Sequence, residues 1–123
     1  MPHLHLHLKS AHLEHNEGGI LHKMDPVVHL RVGDQEWTSS ICENGGKNPE
    51  WHLQHFVIHN HLLPHKLHIK VLNAHGGLQG VHIAEAEVPL GLFYERGDIE
   101  EWIPLHFDGH DAGRIHFRSE MKH

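Results

Sequence analysis

The chain has 123 residues, which is enough for one ordinary domain over residues 1–123 and too few for two. Its 38% hydrophobic and 21% charged residues are typical of a soluble globular protein and argue against a disordered chain. The formal net charge is −6 with neutral histidines, and protonation of the 19 histidines would add 19 positive charges. Because histidine ordinarily titrates near pH ~6.5, the net charge changes sign in mildly acidic solution.

Cysteine content and the distribution of apolar residues indicate the compartment. The chain has one cysteine, Cys42, so it has no internal disulfide framework and suits a reducing environment. No apolar run approaches the roughly 20 residues of a membrane-spanning helix, and the segment after Met1 lacks the apolar core of a secretory signal. We therefore expect a cytoplasmic protein.

Apolar and polar residues alternate with a period of two in several segments. Leu4, Leu6 and Leu8 alternate with histidines, and the same pattern recurs over residues 28–32, 67–71 and 114–118. Such alternation is typical of strands with one face in a core and the other in water. Residues 56–59 and 81–88 also favour strands, and one short helix is predicted near residues 91–95.

Turn signals separate these segments and complete the fold prediction. They fall at residues 18–19, 33–34, 45–46, 64, 76–77, 97–98 and 108–109. Several short strands with this punctuation predict an antiparallel β-sandwich or barrel. The predicted core consists of Leu4, Leu6, Leu8, Leu13, Val28, Leu30, Val32, Trp51, Phe56, Ile58, Leu67, Ile69, Val71, Ile83, Val88, Leu90, Trp102, Leu105, Ile115 and Phe117.

Six segments, in order and at matching spacing, resemble the C2 domain family of lipid-binding β-sandwiches. They are residues 4–13, 24–30 (Met-Asp-Pro-Val-Val-His-Leu), 45–51 (ending Asn-Pro-Glu-Trp), 67–73, 83–90 (Ile-Ala-Glu-Ala-Glu-Val-Pro-Leu), and 102–105 with 113–116. The resemblance implies an all-β, eight-stranded antiparallel β-sandwich. The sequence of the opening strand suggests the second circular (type II) topology of the family.

The resemblance also implies a calcium site that this chain has mostly lost. Members of the family bind calcium through about five aspartates on loops at one end, and calcium prefers 6–8 oxygen ligands. The matching positions here are Asp25, a position near Gly19, and Asn73, His75 and about Val81. We therefore expect calcium binding to be weak or absent. Asp25 could instead cap the adjacent turn.

The histidines suggest transition-metal binding, because neutral imidazole suits zinc, copper and nickel. In the implied fold the first strand should neighbour the strands carrying His68 and His116. The predicted sheet cluster is therefore His3, His5, His7, His68 and His116. A predicted loop cluster at the calcium end consists of His15, His22, Asp25, Asn73, His75 and His82.

A pH response is the second interpretation of the histidines. Below about pH 6.5 a cationic surface would attract an anionic membrane or an acidic protein partner, and each basic charge near such a membrane contributes about 1 kcal/mol. The predicted lipid-binding residues, by analogy with basic sheet faces in C2 relatives, are Lys9, Lys70, Arg114 and Arg118.

Other functional classes are less consistent with the sequence. A structural or engineered protein that assembles through metal or pH is the main alternative, so the chain is predicted to be a monomer or a metal-linked oligomer. No motif predicts an enzyme, since neither Cys42 nor any histidine lies in a catalytic signature. Nucleic-acid binding is not expected, because the chain is acidic at neutral pH.

Overall fold

The computed structural model describes residues 3–14, 23–58, 66–74 and 80–122. These residues form eight strands and one short helix: β1 (His3–Leu13), β2 (Pro26–Val32), β3 (Gln35–Thr38), β4 (Glu50–Ile58), β5 (Lys66–Asn73), β6 (Val81–Pro89), α1 (Gly91–Arg96), β7 (Ile99–Phe107) and β8 (His110–Lys122).

The strands pair antiparallel in the order β3-β2-β5-β6-β7-β8-β1-β4. Strands β6 and β7 are joined through the pair Glu85 and His106, whereas β7 and β8 pair along most of their length. We call β3-β2-β5-β6 the first sheet and β7-β8-β1-β4 the second sheet. The prediction of an antiparallel, C2-like β-sandwich with eight strands is confirmed.

The core follows from the period-two alternation. Leu4, Leu6 and Leu8 on β1 are at most 1% exposed, while the intervening histidines are partly exposed on the outer face. Burial of each such leucine stabilises the fold by about 1.5–3 kcal/mol. The predicted core residues are all buried except Trp102.

Trp102 corrects the predicted core. Its side chain is 46% exposed, because Ile103 and Leu105 on the same strand point inward and the period of two then places Trp102 outside. The helix α1 supplies a core residue that the sequence did not predict. Phe93 is 0% exposed there.

The described turns agree with the sequence. The helix predicted near residues 91–95 is confirmed, and Asp108 and Gly109 both have positive φ, as a two-residue hairpin of type I′ requires. The predicted turns at residues 18–19, 64 and 76–77 lie outside the described residues.

Two positions in the second sheet have unusual backbones. Gly113 has φ +119°, and a Cβ there would overlap the backbone oxygen of His12, so β1 and β8 approach too closely for any other residue. Leu53 has φ +56° and is 99% exposed, where β4 departs from regular pairing with β1.

Candidate functional sites on the loops and sheet faces

At the family's calcium end, Asp25 and Asn73 hold the backbone together. The Asp25 carboxylate accepts a hydrogen bond from the backbone N–H of Asn44 at 2.8 Å. The side-chain oxygen of Asn73 accepts one from the backbone N–H of Asp25 at 2.9 Å. These contacts fasten the segment before β2 to the β3–β4 loop and to the end of β5. This is a structural role of the kind that the sequence left open for Asp25.

Of the other members of the predicted loop cluster, His82 is the one that lies among the described residues. His82 Nε2 lies 3.1 Å from the backbone oxygen of Ala84 and 3.7 Å from the Glu85 carboxylate, and its ring meets Phe107 edge to face. His15, His22 and His75 lie outside the described residues.

On the outer face of the second sheet, three histidines form a stack that we call the histidine stack: His5, His7 and His55. His5 Nδ1 and His55 Nε2 are 2.6 Å apart, so the two rings share an N–H···N hydrogen bond. The ring centroid of His55 lies 4.8 Å from that of His5 and 4.5 Å from that of His7. His55 stands directly opposite His7 across the β1–β4 pair.

Glu120 on β8 places a carboxylate beside the histidine stack. Its Oε1 lies 3.0 Å from His7 Nε2. His7 Nε2 is buried and makes no hydrogen bond among the described residues, so its contact with Glu120 is electrostatic. Burial raises the pKa of Glu120, but the hydrogen bond and charge of Arg118 outweigh it, so the net pKa is lowered and the carboxylate is ionised.

Two histidines of the stack, His5 and His7, have lowered pKa values. Burial, and then the charge of His55, lower the pKa of His5 and of His7 below the ordinary value of 6.5. Nearby cations act in the same direction: Lys122 on His5, and Arg118 and Lys9 on His7. His5 and His7 therefore stay neutral at pH values where an ordinary histidine is already charged.

The predicted sheet cluster is only partly assembled. The neighbours of β1 are β8 and β4, so the prediction that β1 adjoins the strand of His68 is wrong: β5 belongs to the first sheet. His116 does lie on a neighbour of β1, but its ring stacks on Trp102 at 4.7 Å. His3 lies on β1 opposite Lys122.

The residue that the sequence missed is His55. The predicted strand begins at residue 56, six positions after the start of β4 at Glu50, and so leaves His55 out. The pairing of β4 with β1 cannot be seen without the topology. Within the described ranges, no group of three or more His, Cys, Asp or Glu side chains is arranged to hold a metal ion.

The outer face of the first sheet carries an open groove of about 780 Å³. Its ionisable lining residues are His29, Arg31, Glu36, His68, Lys70, Glu85, Glu87 and His106. His68 Nδ1 lies 3.3 Å from a Glu87 carboxylate oxygen, and Lys66 lies 3.7 Å from the same carboxylate. His68 on this face therefore lies beside a carboxylate, as His7 of the stack lies beside Glu120.

The predicted lipid-binding residues are divided between the two sheets. Lys70 lines the groove on the first sheet. Lys9, Arg114 and Arg118 lie on β1 and β8 of the second sheet, where the Arg114 guanidinium sits 5.0 Å over the Trp102 ring. They therefore do not form one basic patch.

Comparison with known proteins agrees with this architecture. The C2 domain family model matches residues 3–105. A C2 domain-containing protein of known structure is 25% identical over 98% of this chain and 88% of its own, with a TM-score of 0.78. A C2 domain of plant Extended Synaptotagmin 1 is 12% identical over 98% of this chain and 93% of its own, with a TM-score of 0.79.

A calcium-bound relative is also similar. The two C2 domains of Extended-Synaptotagmin 2 in their calcium-bound form are 22% identical, with a TM-score of 0.75; the match covers 97% of this chain and 45% of that one. No curated protein matches the chain. In the part of the chain that the structure describes, no helix is long and apolar enough to cross a membrane. The match of the family model over most of the chain and the shared architecture show that the chain belongs to the C2 domain family.

Proposed function

We propose that this chain is a non-catalytic, cytoplasmic docking module that attaches to anionic membrane surfaces, more strongly in mildly acidic solution and with little dependence on calcium. The observation that carries the proposal is the groove on the first sheet, where three histidines lie among fixed cations and carboxylates.

The charge of the groove can change sign. Its lining has two fixed cations, Arg31 and Lys70, and three carboxylates, Glu36, Glu85 and Glu87, which give a formal charge of −1 when the histidines are neutral. Protonation of its three histidines makes the formal charge +2. Since each basic charge near an anionic membrane contributes about 1 kcal/mol, each proton gained strengthens binding about fivefold.

The calcium end supports weak calcium dependence. Asp25 matches one of the family's aspartate positions, and one of its carboxylate oxygens already accepts a hydrogen bond from the Asn44 backbone. Asn73 stands at another such position, and its neutral side-chain oxygen is bonded to the Asp25 backbone. Calcium sites need several carboxylate oxygens, and affinity falls as the number of ligand charges falls.

Vesicle binding tests this proposal. We would sediment the protein with vesicles of phosphatidylcholine, with and without phosphatidylserine, at pH ~7.4 and ~5.5, each with calcium or with a chelator. We expect binding that requires phosphatidylserine, increases at the lower pH and is the same with calcium as with chelator. Calcium-dependent binding at the higher pH would show that the calcium loops are functional and overturn the proposal.

The groove is tested with matched histidine variants. Replacing His29 and His68 with glutamine should weaken acidic binding about 25-fold, from about fivefold for each lost charge. Replacing His52 and His110 with glutamine removes two exposed histidines outside the groove and is the control. Equal losses in both double variants would assign binding to overall charge and not to the groove.

The same measurement separates the alternative function. Sedimentation without vesicles at acidic pH, or on addition of zinc, would indicate self-assembly and favour a structural or engineered histidine-rich protein. Light scattering on vesicle-free samples provides this control. Binding to a protein partner instead of lipid would leave the protein monomeric and in the supernatant under all conditions.

A further inference from the structure

We propose that the outer face of the second sheet docks an acidic protein partner, which it holds through two exposed apolar side chains, Leu53 and Trp102. Leu53 is the most exposed large hydrophobic side chain in the described part of the chain, at 99%, and Trp102 is 46% exposed. A large apolar side chain left in water is more informative than a buried one, and tryptophan is enriched among the residues that dominate protein interfaces.

Strand β4 presents Leu53 on a bulge. Leu8 pairs with Gln54 and Ser10 pairs with Glu50, so three residues of β4 stand opposite a single residue of β1. Leu53 has φ +56°, which costs a residue with a Cβ about 1–2 kcal/mol. Bulges re-aim side chains, and retained backbone strain is a feature of functional positions. Here both devices direct a leucine into solvent, where it does not stabilise the chain itself.

The strand register places the two apolar side chains on one row across the outer face. Trp102 on β7 pairs with His116 on β8, and His116 pairs with Ser10 on β1. Leu53 on β4 lines a shallow depression together with Ser10 and Glu50. Neighbouring strands are about 4.8 Å apart, so β7 and β4 are separated by about 14 Å. One partner can cover both side chains, since a specific interface buries about 800 Å² on each protein.

Trp102 is already fixed in position by its neighbours. The ring of His116 stacks on the indole with 4.7 Å between centroids, and the Arg114 guanidinium lies 5.0 Å from the ring centroid. The indole therefore loses little side-chain freedom when a partner covers it. The same partner would also remove Arg114 from water, and a buried cation requires an anion beside it. A partner that covers Trp102 must therefore supply a carboxylate.

The charges on β8 indicate which arginine this carboxylate would meet. Arg118 already forms an ion pair with Glu120. Arg114 instead stands opposite Pro104 on β7 and His12 on β1, so neither cross-strand neighbour is a carboxylate. Arg114 is therefore the cation of this face that an acidic partner would bind.

The choice of a protein over a membrane as the partner rests on the proposed function. The outer faces of the two sheets of a sandwich point in opposite directions. A chain whose groove on the first sheet lies on a membrane therefore directs Leu53 and Trp102 away from that membrane. The domain would then link a membrane, through one sheet, to a protein, through the other.

Selection of short random peptides displayed on phage, with the full chain as bait at pH ~7.4, tests the docking face. We expect the enriched peptides to combine Asp or Glu with apolar residues. Leu53→Gly and Trp102→Ala should each weaken binding of the corresponding synthetic peptides by more than about tenfold. Arg114→Gln should weaken acidic peptides by a similar factor. The control is Val81→Ser, which removes a half-exposed apolar side chain from β6 of the first sheet.

Leu53→Gly separates docking from folding, because relief of the strain at φ +56° leaves the fold at least as stable. A loss of peptide binding in this variant therefore cannot come from unfolding. Enriched peptides without acidic residues, equal binding by Leu53→Gly and the unaltered chain, or no enrichment of any peptide would overturn the proposal.

Two further measurements distinguish other occupants of the face. Binding of Leu53→Gly to phosphatidylserine vesicles should equal that of the unaltered chain, because Leu53 lies outside the groove. Weaker vesicle binding would assign the face to the membrane and overturn the protein partner. A dimer in light scattering that Leu53→Gly abolishes would assign the face to a second copy of the chain. Loss of peptide binding with retained vesicle binding, or the reverse, identifies which of the two proposals has failed.

Discussion

The outer faces of the two sheets use the same residue type in opposite ways. On the first sheet, His68 Nδ1 stands 3.3 Å from a Glu87 carboxylate oxygen. On the second sheet, His5 and His7 meet His55, where a second proton would create repulsion between like charges. The neighbours of each histidine, and not the number of histidines, distinguish the two faces.

This difference gives the same residue type two different electrostatic surroundings. On the first sheet, the Glu87 carboxylate has His68 on one side and Lys66 on the other, so the fixed charges of the groove are mixed in sign. On the second sheet, burial and the charge of His55 lower the pKa of His5 and of His7, so these two rings favour the neutral form. Four variants test this contrast and the sheet that carries it.

The largest effect is expected from Gly113→Ala, which should disrupt the second sheet and its face. The added Cβ would overlap the His12 backbone oxygen at φ +119°, so β1 and β8 must separate. We expect a loss of at least ~3 kcal/mol in the free energy of unfolding, measured by urea denaturation. Gly109→Ala is the control, because its Cβ meets no atom within 4 Å and only the backbone strain of about 1 kcal/mol remains. Similar losses of unfolding free energy in both variants would contradict a close approach between the β1 and β8 backbones at Gly113.

The next effect concerns the charge of the first sheet. Lys70→Gln removes one fixed cation of the groove, whereas Lys122→Gln removes one on the second sheet. Sedimentation with phosphatidylserine vesicles at acidic pH should show about fivefold weaker binding for Lys70→Gln and a smaller change for Lys122→Gln. The reverse order would place the membrane-binding face on the second sheet.

A smaller effect is the pH dependence of the stack. Because the pKa of His5 and His7 is lowered on folding, their contribution to stability is present above pH 6.5 and is lost as pH falls through their lowered pKa. His55→Gln should raise both pKa values toward 6.5 and flatten this loss. Titration of the ring protons by NMR, with urea denaturation across the same pH range, measures both effects. Unchanged pKa values in the variant would show that His55 does not control the stack.

The smallest effect is expected at Leu53, near the stack on β4. Its side chain is 99% exposed and buries almost no surface, while its φ of +56° strains any residue with a Cβ. Leu53→Gly should therefore stabilise the fold by about 0.5–1 kcal/mol in urea denaturation. A lower free energy of unfolding in Leu53→Gly would show that the leucine side chain makes a stabilising contact that outweighs its backbone strain.

The fold could be predicted from sequence because alternation is a local property and the family segments occur in order. Strict alternation along β7 also predicts an exposed Trp102. Ile103 and Leu105 point into the core, so their neighbour Trp102 points to solvent. Phe93 was missed because a helix of six residues has too little periodicity to show which face is buried.

The candidate sites depend on information that the sequence lacks. Whether His7 meets His55 or His68 is decided by which strands are neighbours, a long-range property that alternation within one strand does not reveal. The role of Asp25 is likewise set by a loop 19 residues away, where the Asn44 backbone N–H donates a hydrogen bond to the carboxylate.

The first and last of the eight strands are direct neighbours in the second sheet. Strands β1 and β8 are partners from His3 opposite Lys122 to Leu13 opposite Gly113. Paired residues in antiparallel strands have Cα atoms about 4.5–5.5 Å apart, so His3 of β1 and Lys122 of β8 are close enough for a short loop to connect them. A chain opened instead between Asp108 and Gly109 would keep the same strand neighbours. The order of the strands along the polypeptide thus depends on where the chain is opened. The neighbours of each strand, and therefore both histidine faces, do not depend on it.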